Sequence, residues 1–382
     1  MSNGALTRIR NHPAVAFLRS FGTRSDWVVV GWSLTTKLAL FVFAAKSFQV
    51  LQNQRVTGVY EALSLWNRWD SLHFLQLAEF GYSGSDVLKS WFYPFFPWSV
   101  RFAAFFTRDF LIAGLLVSGI AGVAIALLFR RLVELDHSRA VALRSVWFLL
   151  IFPTAHFLHI AYSEALFLAF VIGSIYAART NRWLIAGLVG ALAFATRPNG
   201  IVLIPTLGVE AIHQLYSRRR WDWRWLWIAI VPAGFGIYLL LNWKVTGDPF
   251  WFLSNRQKLF AMHFDWPWVG IWGAIGNFRR GPSDAEMVGA QELYFTLLML
   301  ICTIVSWFKL RPVHATWITA NYLLLTCVSF LASMPRYAIT LYPIVMLFAL
   351  PANRVWRGFL TMLSILFLTL FVSVFVRGWW AF

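Results

Sequence analysis

Apolar runs about twenty residues long recur along the whole chain, and short segments between them carry most of the charge. A run of that length crosses a hydrocarbon core of about 30 Å as a helix rising 1.5 Å per residue. Lipid offers the backbone no hydrogen-bond partner, so helices or a closed barrel are the folds open to such a chain. Eleven windows qualify as helical spans: 27–46, 109–129, 141–157, 164–179, 183–195, 200–216, 225–243, 291–308, 313–331, 337–350 and 359–376. Two of them, 183–195 and 337–350, are short enough to be re-entrant instead of spanning. With 59% hydrophobic and 13% charged residues, a soluble globular class is excluded. The expected fold is an all-α polytopic membrane bundle forming one domain over residues 1–382.

The formal charge of +17 would suggest nucleic acid in a soluble protein. Its distribution points elsewhere. With the N-terminus inside, eighteen of the 33 basic residues fall on short inside segments, among them Arg130, Arg131, Arg139, Arg144, Arg179, Arg218 to Arg220, Arg311, Arg354 and Arg357. The short outside turns hold Arg197, Arg336 and Arg377. Positive charge on short loops stays cytoplasmic, which sets the orientation and leaves no need for a nucleic-acid partner. The first apolar run contains Lys37 and lacks a small-residue cleavage pattern after it, so it reads as a retained span. Cys302 and Cys327 fall in adjacent antiparallel spans at depths about 12 Å apart, too far to bridge.

This orientation leaves two long segments outside, 47–108 and 244–290. Both mix tryptophan, proline and charge, a composition suited to the membrane interface. In the first, Trp66, Trp69, Leu72, Leu77 and Phe80 fit one broad helical side, with Asp70, His73 and Glu79 facing water or a ligand. The run Trp91 to Trp98 is aromatic and interrupted by Pro94 and Pro97. Two juxtamembrane helices on the extracytoplasmic surface are expected here, and the working face is the outer one.

The order Arg68-Trp69-Asp70, His73-Phe74-Leu75, Ala78-Glu79, Gly81-Tyr82 and Phe92-Tyr93-Pro94-Phe95-Phe96-Pro97 resembles the first extracytoplasmic loop of the PIG-V family. That family comprises GPI mannosyltransferase II and its prokaryotic relatives, within the GT-C class of glycosyltransferases. Ala161-Tyr162-Ser163-Glu164-Ala165-Leu166-Phe167, Ala195-Thr196-Arg197-Pro198-Asn199-Gly200 and Pro335-Arg336-Tyr337 follow in the same order. The resemblance implies a GT-C-type bundle that transfers mannose from a polyprenyl-phosphate carrier to an extracytoplasmic acceptor hydroxyl, with inversion. It implies an acidic catalytic residue at the place of Asp70. The acceptor is a glycan, a glycolipid or a protein. The chain is short for a eukaryotic member, which suggests a cell membrane in place of the endoplasmic reticulum.

From chemistry alone, Asp70 is either a base for the attacking hydroxyl or an N-terminal helix cap. His73 stands one turn further on and either orients the acid, touches the donor phosphate or is a satisfied interfacial histidine. Arg68 either binds phosphate or snorkels to headgroups. Glu164 fits the first turn of a helix capped by Ser163, and fits equally as a partner for sugar hydroxyls. Arg197 and Arg336, isolated cations at the outer surface, suit the phosphate of a lipid-linked donor. Tyr93, Asn199, Gln257 and Tyr337 complete the candidate sugar or acceptor contacts, with Lys258 beside Gln257. No clustered carboxylates suggest a divalent ion, so the reaction is expected to run without metal or cofactor. The competing readings are a GT-C transferase using another lipid-linked sugar, and, from another class, a transporter or lipid flippase. The latter would place its ionisable groups near the midplane in paired halves, which this sequence lacks.

Overall fold

The structure is a computed structural model that describes residues 22–83, 91–253, 263–280 and 289–380. Among these it is all helix, apart from one isolated antiparallel bridge between Phe264 and Val328. The helices are α1 (Arg24–Gln52), α2 (Val59–Ser64), α3 (Asp70–Phe80), α4 (Phe95–Thr107), α5 (Phe110–Glu134), α6 (Arg139–Leu150), α7 (Ser163–Arg179) and α8 (Trp183–Thr196). They continue with α9 (Leu203–Arg218), α10 (Ala233–Thr246), α11 (Pro267–Arg280), α12 (Ala290–Lys309), α13 (Pro312–Thr326), α14 (Met334–Ala338), α15 (Pro343–Ala349) and α16 (Arg354–Val376). One apolar core runs through them, from Val29 to Val376.

Helix starts follow local chemistry. Thr23 and Asp26 form a reciprocal capping box at α1, Asp109 accepts from the Ile112 amide at α5, and Asn353 accepts from Val355 and Trp356 at α16. Each satisfies amides that a first turn leaves unpaired. Close packing is set by small residues. A Cβ on Gly234 would lie 2.0 Å from the Ala191 carbonyl, and one on Gly187 would lie 2.2 Å from the Trp227 carbonyl. Glycine there lets α8 and the Trp223–Thr246 segment touch backbone to backbone.

Among the described residues, five helical segments are long and apolar enough to cross a membrane: Arg24–Gln52, Phe110–Glu134, Trp223–Thr246, Ala290–Lys309 and Arg354–Val376. The helices in the remaining expected windows are shorter. The window 337–350 is broken between α14 and α15, where Pro343 opens a new helix. The window 141–157 is cut at Leu150, followed by Pro153 and a 3-10 turn at Ala155–Leu158. Proline is the physical reason in both, since it has no amide to donate and clashes with the preceding turn. The interruption in 141–157 meets α14: the Thr154 hydroxyl donates to the Pro335 carbonyl at 2.9 Å. Irregular backbone inside a bundle persists where protein covers it.

The segment 47–108 carries α2, α3 and α4, but the inward side of α3 is not the one the pattern suggests. α3 starts at Asp70, so Trp66 lies before it, buried between Phe41 and Phe375. The side of α3 that packs inward is Phe74, Leu75, Leu77 and Ala78, while Leu72 and Phe80 are exposed. Both cysteines are free.

Candidate active site

Four charged side chains from four places in the sequence meet where the helices are interrupted. Arg336 stands in the five-residue α14, buried, and its guanidinium faces two carboxylates at once. Its Nη1 donates to Asp70 Oδ2 at 2.5 Å, and its Nε donates to Glu164 Oε1. Arg197 Nη1 donates to the same Glu164 oxygen at 2.5 Å and to Ser163 Oγ at 3.0 Å. The result is an alternating row, Asp70–Arg336–Glu164–Arg197, with no net charge. Burying ions costs several kcal/mol each, and only a row with charge-assisted hydrogen bonds throughout offsets that.

Local structure explains how each member is aimed. Glu164 lies in the first turn of α7, where the helix dipole favours a carboxylate, and it is fully buried. Arg197 is extended, as a residue before proline must be, which turns it out of α8 and back towards α7. Asp70 follows Trp69, whose φ of 53° and ψ of −125° are strained for a bulky side chain. Ser333, three residues before Arg336, is likewise left-handed at φ 57°. Both ends of the Arg336–Asp70 pair are thus held by backbone outside the ordinary regions. Aromatic faces line the row. Tyr162 lies 4.6 Å and Phe157 5.5 Å below the Arg336 guanidinium, and Tyr337 lies 5.4 Å from that of Arg197.

The two ends differ in access. The Asp70 side chain is 33% exposed and the Glu164 side chain 0%. Glu164 Oε2 is buried and accepts no hydrogen bond. An unsatisfied carboxylate oxygen in such surroundings is expensive, and a ligand hydroxyl would relieve it.

The structure therefore brings together Asp70, Glu164, Arg197, Arg336 and Tyr337. It gives neither Asp70 nor Ser163 the capping role that chemistry alone allows. Asp70 is the first residue of α3, not its cap, and Tyr162, not Ser163, precedes α7 at the cap position, with no side-chain cap bond at either helix. The two arginines are not free cations here, since the carboxylates occupy them. Arg68 turns its backbone carbonyl to the Tyr162 hydroxyl at 3.0 Å, while its own Nε is buried without a partner. His73 packs its ring beside Phe92 with Nδ1 buried and unpaired. Asn199 is buried and donates to Asn321 at 2.9 Å. Tyr93 is stacked on Tyr238 with centroids 4.0 Å apart. Gln257 and Lys258 lie outside the described residues. Tyr162 and Ser163 emerge as members of the site that residue type alone does not single out. Their adjacency to Glu164 at a helix start was the available signal. Among the described residues no group of three His, Cys, Asp or Glu side chains is placed to hold a metal ion.

Comparison with known proteins gives three findings. A model of the mannosyltransferase (PIG-V) family matches residues 32–222, which include Asp70, Glu164 and Arg197 but not Arg336. No curated protein matches the chain. Among solved structures it is similar to the apo oligosaccharyltransferase of Archaeoglobus fulgidus, at 10% identity and a TM-score of 0.46, over 92% of this chain and 56% of that one. The same enzyme tethered to an acceptor peptide aligns at 11% identity and 0.44, over 91% and 55%. ArnT from Cupriavidus metallidurans, bound to undecaprenyl phosphate, aligns at 15% identity and 0.42, over 91% and 73%. The chain spans little more than half the length of the oligosaccharyltransferase. The family match extends over half of the chain and holds three of the four residues in the ion row. This chain belongs to the mannosyltransferase (PIG-V) family.

Proposed function

We propose that this protein is a membrane glycosyltransferase of the GT-C class, moving mannose from a polyprenyl-phosphate donor to an acceptor hydroxyl on the extracytoplasmic side. The observation that carries the reading is the row Asp70–Arg336–Glu164–Arg197, with its carboxylate end open and its interior dry. In that reading Asp70 takes the proton of the acceptor hydroxyl as its oxygen bonds to the anomeric carbon. The bond from that carbon to the phosphate oxygen breaks on the opposite face, with inversion. The leaving phosphate gains the negative charge, and fixed arginine donors lower the barrier by stabilising it.

The pairing in the resting row bears on the order of events. The Asp70 oxygen that accepts from Arg336 is occupied and not open to an acceptor hydroxyl. Donor phosphate competes with Asp70 for Arg336, and its arrival loosens the Asp70–Arg336 bond. Donor binding in this way arms the base, and water alone, lacking a phosphate, does not. The unpaired Glu164 oxygen accepts a sugar hydroxyl, and Tyr337 offers an aromatic edge to the sugar. The arginines do the work that Mg²⁺ does for soluble nucleotide-sugar enzymes, so no metal is needed.

A reconstituted assay tests this. Polyprenyl-phosphate-mannose is expected to serve as donor, GDP-mannose not, and turnover is expected to survive a chelator. Arg336→Ala is expected to lower turnover more than Arg336→Lys, because lysine keeps the charge but not the fork that reaches two carboxylates. Transfer from GDP-mannose, or loss of activity with chelator, would overturn the donor assignment.

A further inference from the structure

The bundle end remote from Asp70 has a surplus of arginine that its own carboxylates do not neutralise. α7 carries Glu164 in its first turn and Arg179 at its last residue, so the two ends stand about 22 Å apart at 1.5 Å per residue. Five carboxylates are found at the remote end, and each already has an arginine. Asp26 pairs with Arg130 at 2.6 Å and Arg131 at 3.4 Å, and Glu134 also takes Arg130. Asp136 pairs with Arg179 at 2.7 Å, Glu210 with Arg311 at 2.8 Å, and Asp222 with Arg224 at 2.6 Å. Residues 1–21 contain no acidic residue.

Among the described residues at this end, Arg144 and Arg357 have no carboxylate partner and are half-buried. Arg144 on α6 and Arg357 on α16 line one open groove of about 400 Å³, with Trp147, Phe148, Thr361 and Met362. Both side chains line the same groove, so two like charges share it. Arg144 Nε is buried with no partner, and Arg357 Nε reaches the Asn353 carbonyl at a long 3.4 Å. Two like charges facing each other in an apolar groove are unfavourable unless an anion lies between them. The groove opens on the outward face of α16, where Met362, Ile365 and Leu366 are exposed along successive turns, as a lipid-facing helix requires. Arginine within a turn or two of a helix start stands at headgroup depth.

We propose that Arg144 and Arg357 clamp the phosphate of an anionic phospholipid in the leaflet opposite the candidate active site, with its acyl chain along Trp147 and Met362. A free phosphate ion would satisfy the charges but not the apolar wall, which continues a full turn beyond them. The inference is independent of the reaction proposed above.

Native mass spectrometry of the detergent-purified full chain is the test, with phosphatidylglycerol, phosphatidylcholine and inorganic phosphate as probes. Phosphatidylglycerol is expected to bind about 25-fold more tightly than phosphatidylcholine, since each of the two basic residues near an anionic headgroup contributes roughly fivefold. Arg144→Gln with Arg357→Gln is expected to abolish that preference. Arg139→Gln with Arg218→Gln, which removes the same charge from exposed positions on the same side, is expected to retain it. Met362→Trp fills the groove without touching charge and is expected to lose the lipid too, which decides the matter if the double arginine variant does not fold. An undiminished preference in Met362→Trp, or an equal loss in the exposed pair, would overturn the site. Inorganic phosphate binding that competes with the lipid at equal concentration would overturn the lipid as its occupant.

Discussion

Both ends of the bundle bury arginine against carboxylate, yet they do so in different ways. At the remote end Asp136 takes Arg179 through two parallel bonds of 2.7 Å, and Glu210 takes Arg311 through two of 2.8 and 3.0 Å. Each carboxylate there uses both oxygens, and Gln214 adds a further bond to Glu210 at 2.9 Å. These pairs tie α7, α9 and the start of α13 together at their tips. At the candidate site Arg336 is divided between two acids, Glu164 offers one oxygen to two arginines, and its other oxygen has nothing. Strained backbone precedes Asp70 and Arg336. The Asp136 and Glu210 carboxylates are satisfied as they stand. The candidate site is complete only with something added.

That contrast is broken most sharply by locating the two ends relative to the membrane. Ser83 follows α3 and Ser217 lies near the end of α9, and both are exposed. Cysteine at Ser83 is expected to react with an impermeant thiol reagent on intact cells, and cysteine at Ser217 only after permeabilisation. The opposite pattern would put the Asp70 row inside and end the extracytoplasmic reading.

Next in size is the loss of chemistry without loss of structure. Asp70→Asn keeps volume and one hydrogen-bonding oxygen for Arg336 but cannot take a proton. Turnover is expected to fall about 10²- to 10⁴-fold, the range for a positioned base. Stability is expected to change by less than about 1 kcal/mol, because the side chain is partly exposed and Arg336 keeps Glu164. A variant that binds donor and turns over at the native rate would leave Asp70 as a partner of Arg336 and nothing more.

The remote end predicts the reverse profile. Glu210→Gln leaves Arg311 without a charge partner in a site where the Glu210 side chain is 1% exposed, while Arg179 keeps Asp136. Breaking one side of a buried pair costs about 3 kcal/mol, the lower part of the usual range because Arg311 retains some contact with water. The apparent melting temperature is expected to drop, while turnover per folded molecule stays the same. Equal loss of turnover would mean that the two networks act as one.

Part of this contrast was legible before any coordinates. The apolar windows located the helices, and the members of the row, Asp70, Glu164, Arg197 and Arg336, were each picked out as ionisable groups at the outer ends of those windows. Their pairing was not legible, because Asp70 and Arg336 are separated by 266 positions and no local pattern links them. Sidedness makes isolated arginines look like free cations. Only tertiary structure reveals that a carboxylate already occupies each one. The inward side of α3 is hidden from the sequence for a similar reason. Trp69 adopts a left-handed conformation that tryptophan rarely takes, so the helix starts at Asp70 and its apolar side shifts to Phe74, Leu75, Leu77 and Ala78. Interior prolines at 153 and 343 were visible inside apolar windows, but the windows' hydrophobicity outweighed them in the count of spans.

The smallest expected effect separates strain that serves the site from strain that is merely tolerated. Ser333 sits at φ 57° and ψ 31°, a left-handed conformation that costs a residue with a Cβ about 1 kcal/mol and costs glycine almost nothing. Its side chain makes no capping bond to α14, so Ser333→Gly removes strain and little else. The apparent stability is expected to rise by about 0.5 to 1 kcal/mol, less whatever glycine gains in unfolded freedom. If the left-handed turn only joins Ala332 to α14, turnover stays level as stability rises. If the turn aims Arg336 at Asp70, glycine's freedom loosens that aim, and turnover falls a few-fold although the protein is more stable. We expect the second outcome, because the residue before Asp70 is strained in the same way and the Arg336–Asp70 bond has strain on both sides. A stabilised variant with unchanged turnover would return Ser333 to the category of ordinary turns and leave Trp69 as the strained position to test.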